Sequence, residues 1–167
     1  GAAPYRVNAI FTMGDTLVFE SWGDFTTVDK RTVTPLARFS FENGAVSYSV
    51  VPLERTAIFT KLNTTYAAIY TIEIGTDGKL VTTNQGLGYG VSTGARTFMF
   101  PGGDRVAEET GNVFTTDALH HVSNLGGPIT DLDFQAADLP VVLRDDKLFA
   151  YDTRLLESGM FALDRNG

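Results

Sequence analysis

Short apolar runs and turn signals alternate along the whole chain. Val7 to Phe11 is apolar and β-branched, and Gly14-Asp15 closes it as a turn. Leu17-Val18-Phe19 is a second run, bounded by Trp22-Gly23-Asp24. Phe25 to Pro35 is polar and threonine-rich and reads as an exposed loop or ragged edge strand. Leu36 to Phe41 leads into Asn43-Gly44, a hairpin signal because glycine supplies the positive φ such turns need. Val46, Tyr48 and Val50 alternate with Ser47 and Ser49, the period of two of a half-buried strand. Tyr66 to Thr83 is the plainest unit: Ile69, Tyr70, Ile72 and Ile74, then Gly75-Thr76-Asp77-Gly78, then Leu80 and Val81. It predicts a hairpin with an Asp-Gly turn.

The second half continues the pattern. Residues 85–103 are glycine-dense and read as an irregular loop around a short Phe98-Met99-Phe100 run. Asp152 is positioned to cap a short helix through Glu157, with Gly159 past its end, and a strand is expected from Met160 to Leu163. Nowhere does an apolar i, i+3, i+4 stripe persist for about 11 residues. The expectation is a mainly β protein of antiparallel hairpins with at most one short helix.

The pieces rhyme. Leu17–Trp22 resembles Ala57–Leu62, and Leu36–Gly44 resembles Ala68–Ile74 with its later Asp77-Gly78. Phe100, Asp104–Glu109 and Asn112–Asp117 are echoed by Phe134, Pro140–Asp145 and Lys147–Asp152, an offset of about 35 residues, within the range of repeat architectures. Runs ending in Asp77-Gly78-Lys79-Leu80, with aromatic-flanked β runs at such spacing, resemble the blades of a β-propeller of lactonase-like or quinoprotein-like type. The resemblance covers about residues 15–84 and 98–152 and implies about four blades, part of a larger propeller or one that assembles. Short strands and the same turns also fit a β-sandwich or barrel, including jelly-roll coat, tail or lectin-like modules.

Composition narrows the function classes. At 167 residues, 43% hydrophobic and 20% charged, the chain has the length of one domain able to bury a core, whole or as a piece of a larger protein. A net charge of −7 repels phosphate backbones and anionic lipid, so neither nucleic acid nor membrane is expected as a partner. No run approaches the roughly 18 apolar residues of a spanning helix. There is no cysteine, which excludes disulfides, thiolate metal sites and cysteine nucleophiles.

Candidate chemistry is sparse. Gly90-Val91-Ser92-Thr93-Gly94 matches the nucleophile elbow, which sets serine on a tight turn beside oxyanion donors. Asp104 or Asp117 and then His120 or His121 follow in hydrolase order, so Ser92, Asp117 and His120 form the catalytic alternative. The alternating β/α context of that motif is missing. His120 and His121 are adjacent and, in a strand, point to opposite faces, so they would not chelate one ion together. Asp131 and Asp133 are candidate calcium ligands, with Asp145-Asp146 and Glu108-Glu109 as further acidic pairs; the EF-hand pattern fails at Gln135. Gly86–Gly94 lacks the phosphate-loop pattern. Trp22 and Tyr89, with Phe25 and Tyr66, could stack on sugar rings or on a protein partner. Asn63-Thr64-Thr65 fits a glycosylation sequon. The reading that follows is a non-catalytic binding or assembly module without a cofactor, its partner a protein or a second copy. A serine hydrolase or a carbohydrate-binding module is the alternative.

Overall fold

The computed structural model describes residues 7, 9–21, 24–40, 45–50, 56–61, 68–87 and 96–162. Sixteen β-strands lie among them, with no helix. They form four four-stranded antiparallel sheets, each built from consecutive strands. The first contains β1 (Ala9–Met13), β2 (Thr16–Ser21), β3 (Asp24–Asp29) and β4 (Pro35–Ser40). The second contains β5 (Ala45–Val50), β6 (Thr56–Lys61), β7 (Ala68–Ile74) and β8 (Leu80–Leu87). The third contains β9 (Thr97–Met99), β10 (Arg105–Glu108), β11 (Asn112–Thr115) and β12 (His121–Asn124). The fourth contains β13 (Asp131–Ala136), β14 (Leu139–Arg144), β15 (Lys147–Tyr151) and β16 (Glu157–Ala162).

The sheets stack side by side, and the strand period of two decides which residue meets which neighbour. Blade 3 shows it directly. Val106 pairs with Met99 and Phe114, and that row packs with Ile69 of blade 2 and Leu119. Ala107 pairs with Phe98 and Val113, and that row packs with Val142 and Tyr151 of blade 4. A third cluster joins Met13, Val18 and Phe25 of blade 1 to Ile72, Ile74 and Leu80 of blade 2. Each interior blade is therefore apolar on both faces. The first strands β1, β5 and β9 approach one another, which places them innermost. A sandwich would pair two sheets, and a barrel would close one; sequential blades joined by three face-to-face seams are the propeller arrangement.

Several expectations change. Phe25–Pro35 is not an exposed loop: its first half is β3, hydrogen-bonded to strands on both sides, with Phe25 and Thr27 fully buried. The threonines are β-branched, which suits a strand, and Thr27 spends its hydroxyl on the Gly78 carbonyl of the next blade at 2.8 Å. β4 and β5 pair in different sheets, so no hairpin spans Asn43-Gly44, residues that themselves lie outside the described ones. The rhyme of Leu17–Trp22 with Ala57–Leu62 matches second strands, β2 with β6, but Leu36–Gly44 matches a fourth strand to a third. The 35-residue echo is correct: β10 and β11 correspond to β14 and β15. The expected helix at Asp152 is a hairpin turn. Asp152 accepts backbone N–H bonds from Arg154 and Leu156 at 2.8 and 3.0 Å, and the chain re-enters a strand at Glu157.

Candidate functional site

Polar side chains that hold blades together come first, because they decide which groups remain for binding. Arg144, at the end of β14, is buried and donates to the Leu125 carbonyl at 2.8 Å and to the Tyr151 hydroxyl at 3.1 Å. The same hydroxyl donates to Leu125 at 2.5 Å, and the guanidinium lies 4.3 Å from the Phe149 ring centroid. Leu125 belongs to blade 3, so this cluster staples blades 3 and 4. Arg105 does so too, pairing with Asp138 while its guanidinium covers Phe100. Arg96 pairs with Glu109 and donates to the carbonyls of Ile129 and Thr130, at 3.2 and 2.7 Å. Glu108 is fully buried and turned into its own turn, accepting from Thr110 and from the Asn112 side chain. Glu108 and Glu109, read from the sequence as a carboxylate pair, are divided between a turn and an ion pair, and the arginines carried no signal in the sequence because only the fold shows what they fasten.

The predicted catalytic set is divided. Ser92 lies outside the described residues, so its distance from the others is not defined. Asp117 and His120 share the β11–β12 turn. Asp117 accepts the Ala118 N–H at 2.7 Å, and His120 donates its backbone N–H to the Thr115 hydroxyl at 3.2 Å. The Thr115 hydroxyl, the Ala118 amide and the nearby His120 hold the Asp117 carboxyl below its ordinary range, as a turn-capping carboxylate would be. His121 is exposed, with its ring edge-on to Phe114 at 5.6 Å.

Trp22 and Tyr89, the predicted stacking residues, also lie outside the described residues, as do Tyr66 and the Asn63 sequon. Phe25 is removed from that list, being wholly inside the seam between blades 1 and 2. Asp131 and Asp133 stand two apart on β13, both exposed, and each accepts the N–H of the residue after it, at 2.9 and 2.8 Å. Among the described residues no three His, Asp or Glu side chains gather as a metal site would require. Asp145 and Asp146 form a tight turn in the left-handed region, at φ of 48° and 59°.

What the fold does assemble is a pair of open faces. Among the described residues three clusters join four blades, and a closed ring of four would need a fourth. The described blades thus form an arc with two terminal faces. On blade 1 a row crosses all four strands: Ile10, Phe19, Thr26 and Arg38. Ile10 is 60% exposed, and Arg38 pairs with Asp24 at 2.5 Å. On blade 4 the matching row is Asp131, Leu143, Leu148 and Phe161. Phe161 is 61% exposed. A groove of about 340 Å³ runs along this face beside Val141, Leu143 and Leu148.

The fold is β-propeller-like. Solved structures of Kluyveromyces lactis Hsv2 superpose on 88% of this chain with a TM-score of 0.65 at 16% identity. The variant described as KlHsv2 with loop 6CD replaced by a Gly-Ser linker superposes on 95% with a TM-score of 0.69 at 13% identity. The chain spans about half the length of these structures, 49% and 54% respectively. At such identities the likeness is one of fold. No family model matches the chain, and no curated protein matches it.

Proposed function

We propose that the chain is a non-catalytic propeller-type interaction module that works through blade faces rather than through a reaction centre. One observation carries the reading: among the described residues, the first and fourth blades each carry an outward sheet face with apolar side chains on inner strands, Phe19 on blade 1 and Leu143 and Leu148 on blade 4. Large contiguous apolar surfaces on a protein that stays dissolved mark interaction sites. The charge of −7 favours a protein partner over nucleic acid or anionic lipid. Within the propeller class, Asp77-Gly78-Lys79-Leu80 keeps lactonase-like or quinoprotein-like blades as the sub-class of this proposal.

The competing hydrolase reading is tested with a fluorophosphonate probe on the folded chain. Labelling at background level, the same in Ser92→Ala, is the expected result. Labelling that disappears in Ser92→Ala overturns the non-catalytic reading.

A further inference from the structure

The turn between β7 and β8 is both a fastening and a reactive sequence. Gly78 is buried, although Asp77 before it and Lys79 after it are exposed. Its carbonyl accepts the Thr27 hydroxyl of blade 1 at 2.8 Å, and a Cβ on it would stand 2.6 Å from Leu36 Cδ1 of the same blade. On either side of the turn, Ile74 and Leu80 belong to the cluster that joins blades 1 and 2. The main chain at Gly78 is therefore part of that seam. Asp77 is also the one aspartate of the sequence that a glycine follows. Glycine leaves its own nitrogen unshielded and lets the chain reach angles closed to other residues. That combination favours attack of the nitrogen on the preceding side-chain carboxyl.

We propose that Asp77 is a site of spontaneous conversion to isoaspartate, that the folded turn holds the reaction back, and that the conversion, once made, unfastens blade 1 from blade 2. This goes beyond the interaction-module reading and does not depend on it. The Gly78 nitrogen adds to Asp77 Cγ. A new N–C bond forms, one carboxyl oxygen departs as water with the carboxyl and amide protons, and a five-membered imide remains. Water then adds at the former main-chain carbonyl of Asp77, and the bond from that carbonyl to the Gly78 nitrogen breaks. The chain now runs through Cβ and Cγ of residue 77, one carbon longer, and the old carbonyl is a free carboxylate. The sum is an isomerisation, with no oxidant and no change of mass. In the folded turn each reacting group is occupied. The Gly78 N–H donates to the Gly75 carbonyl at 3.0 Å. Asp77 Oδ1 accepts the Lys79 N–H at 3.1 Å, and Oδ2 pairs with Lys79 Nζ at 3.1 Å. The Lys79 amide holds the carboxyl below its ordinary range, so little of it is in the acid form that can lose water. The reaction therefore waits for the turn to open. The extra carbon then displaces Gly78 from Thr27 and Leu36, and the 2.8 Å bond from the Gly75 N–H to the Lys79 carbonyl no longer closes over the same number of atoms.

The test is to age the chain at neutral pH, folded and in urea, and to digest it with trypsin. Asp77 falls in the peptide Leu62–Lys79. Isoaspartate there elutes as a second peak of unchanged mass and accepts a methyl group from an isoaspartate methyltransferase. Products of Asn43-Gly44 and Asn166-Gly167 lie in other peptides and change mass by losing ammonia. The expected result is a second peak that grows in urea and grows at least about tenfold more slowly in the folded chain. Thr27→Val takes the hydroxyl from the Gly78 carbonyl. It should quicken the folded rate roughly three- to tenfold, the effect of one lost hydrogen bond on opening, and leave the rate in urea alone. Chain aged in urea and refolded should melt below chain refolded from a brief exposure. Asp77→Ser keeps an oxygen for the Lys79 amide but has no carboxyl, and shares every other ageing reaction, so it should lose much less. Equal rates folded and in urea overturn the inference, as does a folded rate unmoved by Thr27→Val. So does the absence of a second peak in urea, or an aged chain that loses no more than Asp77→Ser. Ser92-dependent fluorophosphonate labelling would end the module reading and leave this inference standing.

Discussion

Single residues set the turns, and the turns tolerate some strain. Val33 is β-branched and 72% exposed, yet it holds φ of 56° in the β3–β4 connection. It is kept there by its own N–H bond to the Asp29 carbonyl at 2.9 Å and by the Asp29 carboxylate, which accepts from the amides of Arg31 and Thr32. Left-handed backbone costs an ordinary L-residue about 1–2 kcal/mol, most of which glycine avoids. Val33→Gly should therefore raise stability by about 1 kcal/mol in denaturant titration. The same turns carry the acid response. Thr32 and Arg31 amides lower the carboxyl of Asp29, the Lys79 amide lowers that of Asp77, and the Leu156 amide heads the causes at Asp152. Each folded-state pKa is below the ordinary 3.8, so each stabilises the fold above that pH. The contribution declines as pH falls through 3.8 and is gone below the folded-state values. Melting temperatures taken from pH 6 downward should stay level in this respect until about pH 4 and then fall. Asp29→Asn should flatten part of that decline.

Between elements, seams depend on close approach as much as on apolar area. Gly111 ends the β10–β11 turn at φ of 97°, and a Cβ there would run into the Gly127 carbonyl of the segment leading to blade 4. Neither the backbone nor a carbonyl can yield cheaply. Gly111→Ala should cost about 2–3 kcal/mol by thermal or denaturant unfolding, through strain at a special backbone position. Gly159→Ala meets only the edge of the Phe161 ring at ordinary contact distance and should be close to neutral. Strand existence was legible at this scale: the Ile69–Ile74 run, the Asp77-Gly78 turn and the repeat through Phe100 and Phe134 all become strands or turns in the expected order. The misreadings share a cause. Threonine-rich β3 looked solvent-exposed because the hydroxyl of its buried Thr27 is satisfied by a neighbouring blade, at Gly78, 51 residues away. Asn43-Gly44 looked like a hairpin because the local signal is the same whether the next strand pairs back or starts a new sheet.

At the scale of the whole molecule, the described residues form four blades joined by three seams. The residues bearing on function follow the same division. Asp117, His120, Asp131 and Asp133 stood out as chemistry-bearing types, and the fold places the three acids as turn or backbone acceptors. Leu143, Leu148, Phe19 and Phe161 carried no chemical signal, being indistinguishable in sequence from residues that fill the seams.

By itself the sequence determined that the chain is β, made of hairpins with acidic and glycine turns, and that its second half repeats at an offset of about 35 residues. Those properties are local: alternation, β-branching and turn chemistry act within a few positions of one another. Only the tertiary structure decided that the hairpins group by fours, that Arg144 and Glu108 are internal fastenings, and which apolar rows face another blade. The outward rows of the terminal blades still carry Phe19, Leu143 and Leu148, residue types that also fill an interior seam. What differs is whether another sheet stands against them, and that is settled by contacts between residues far apart in the chain.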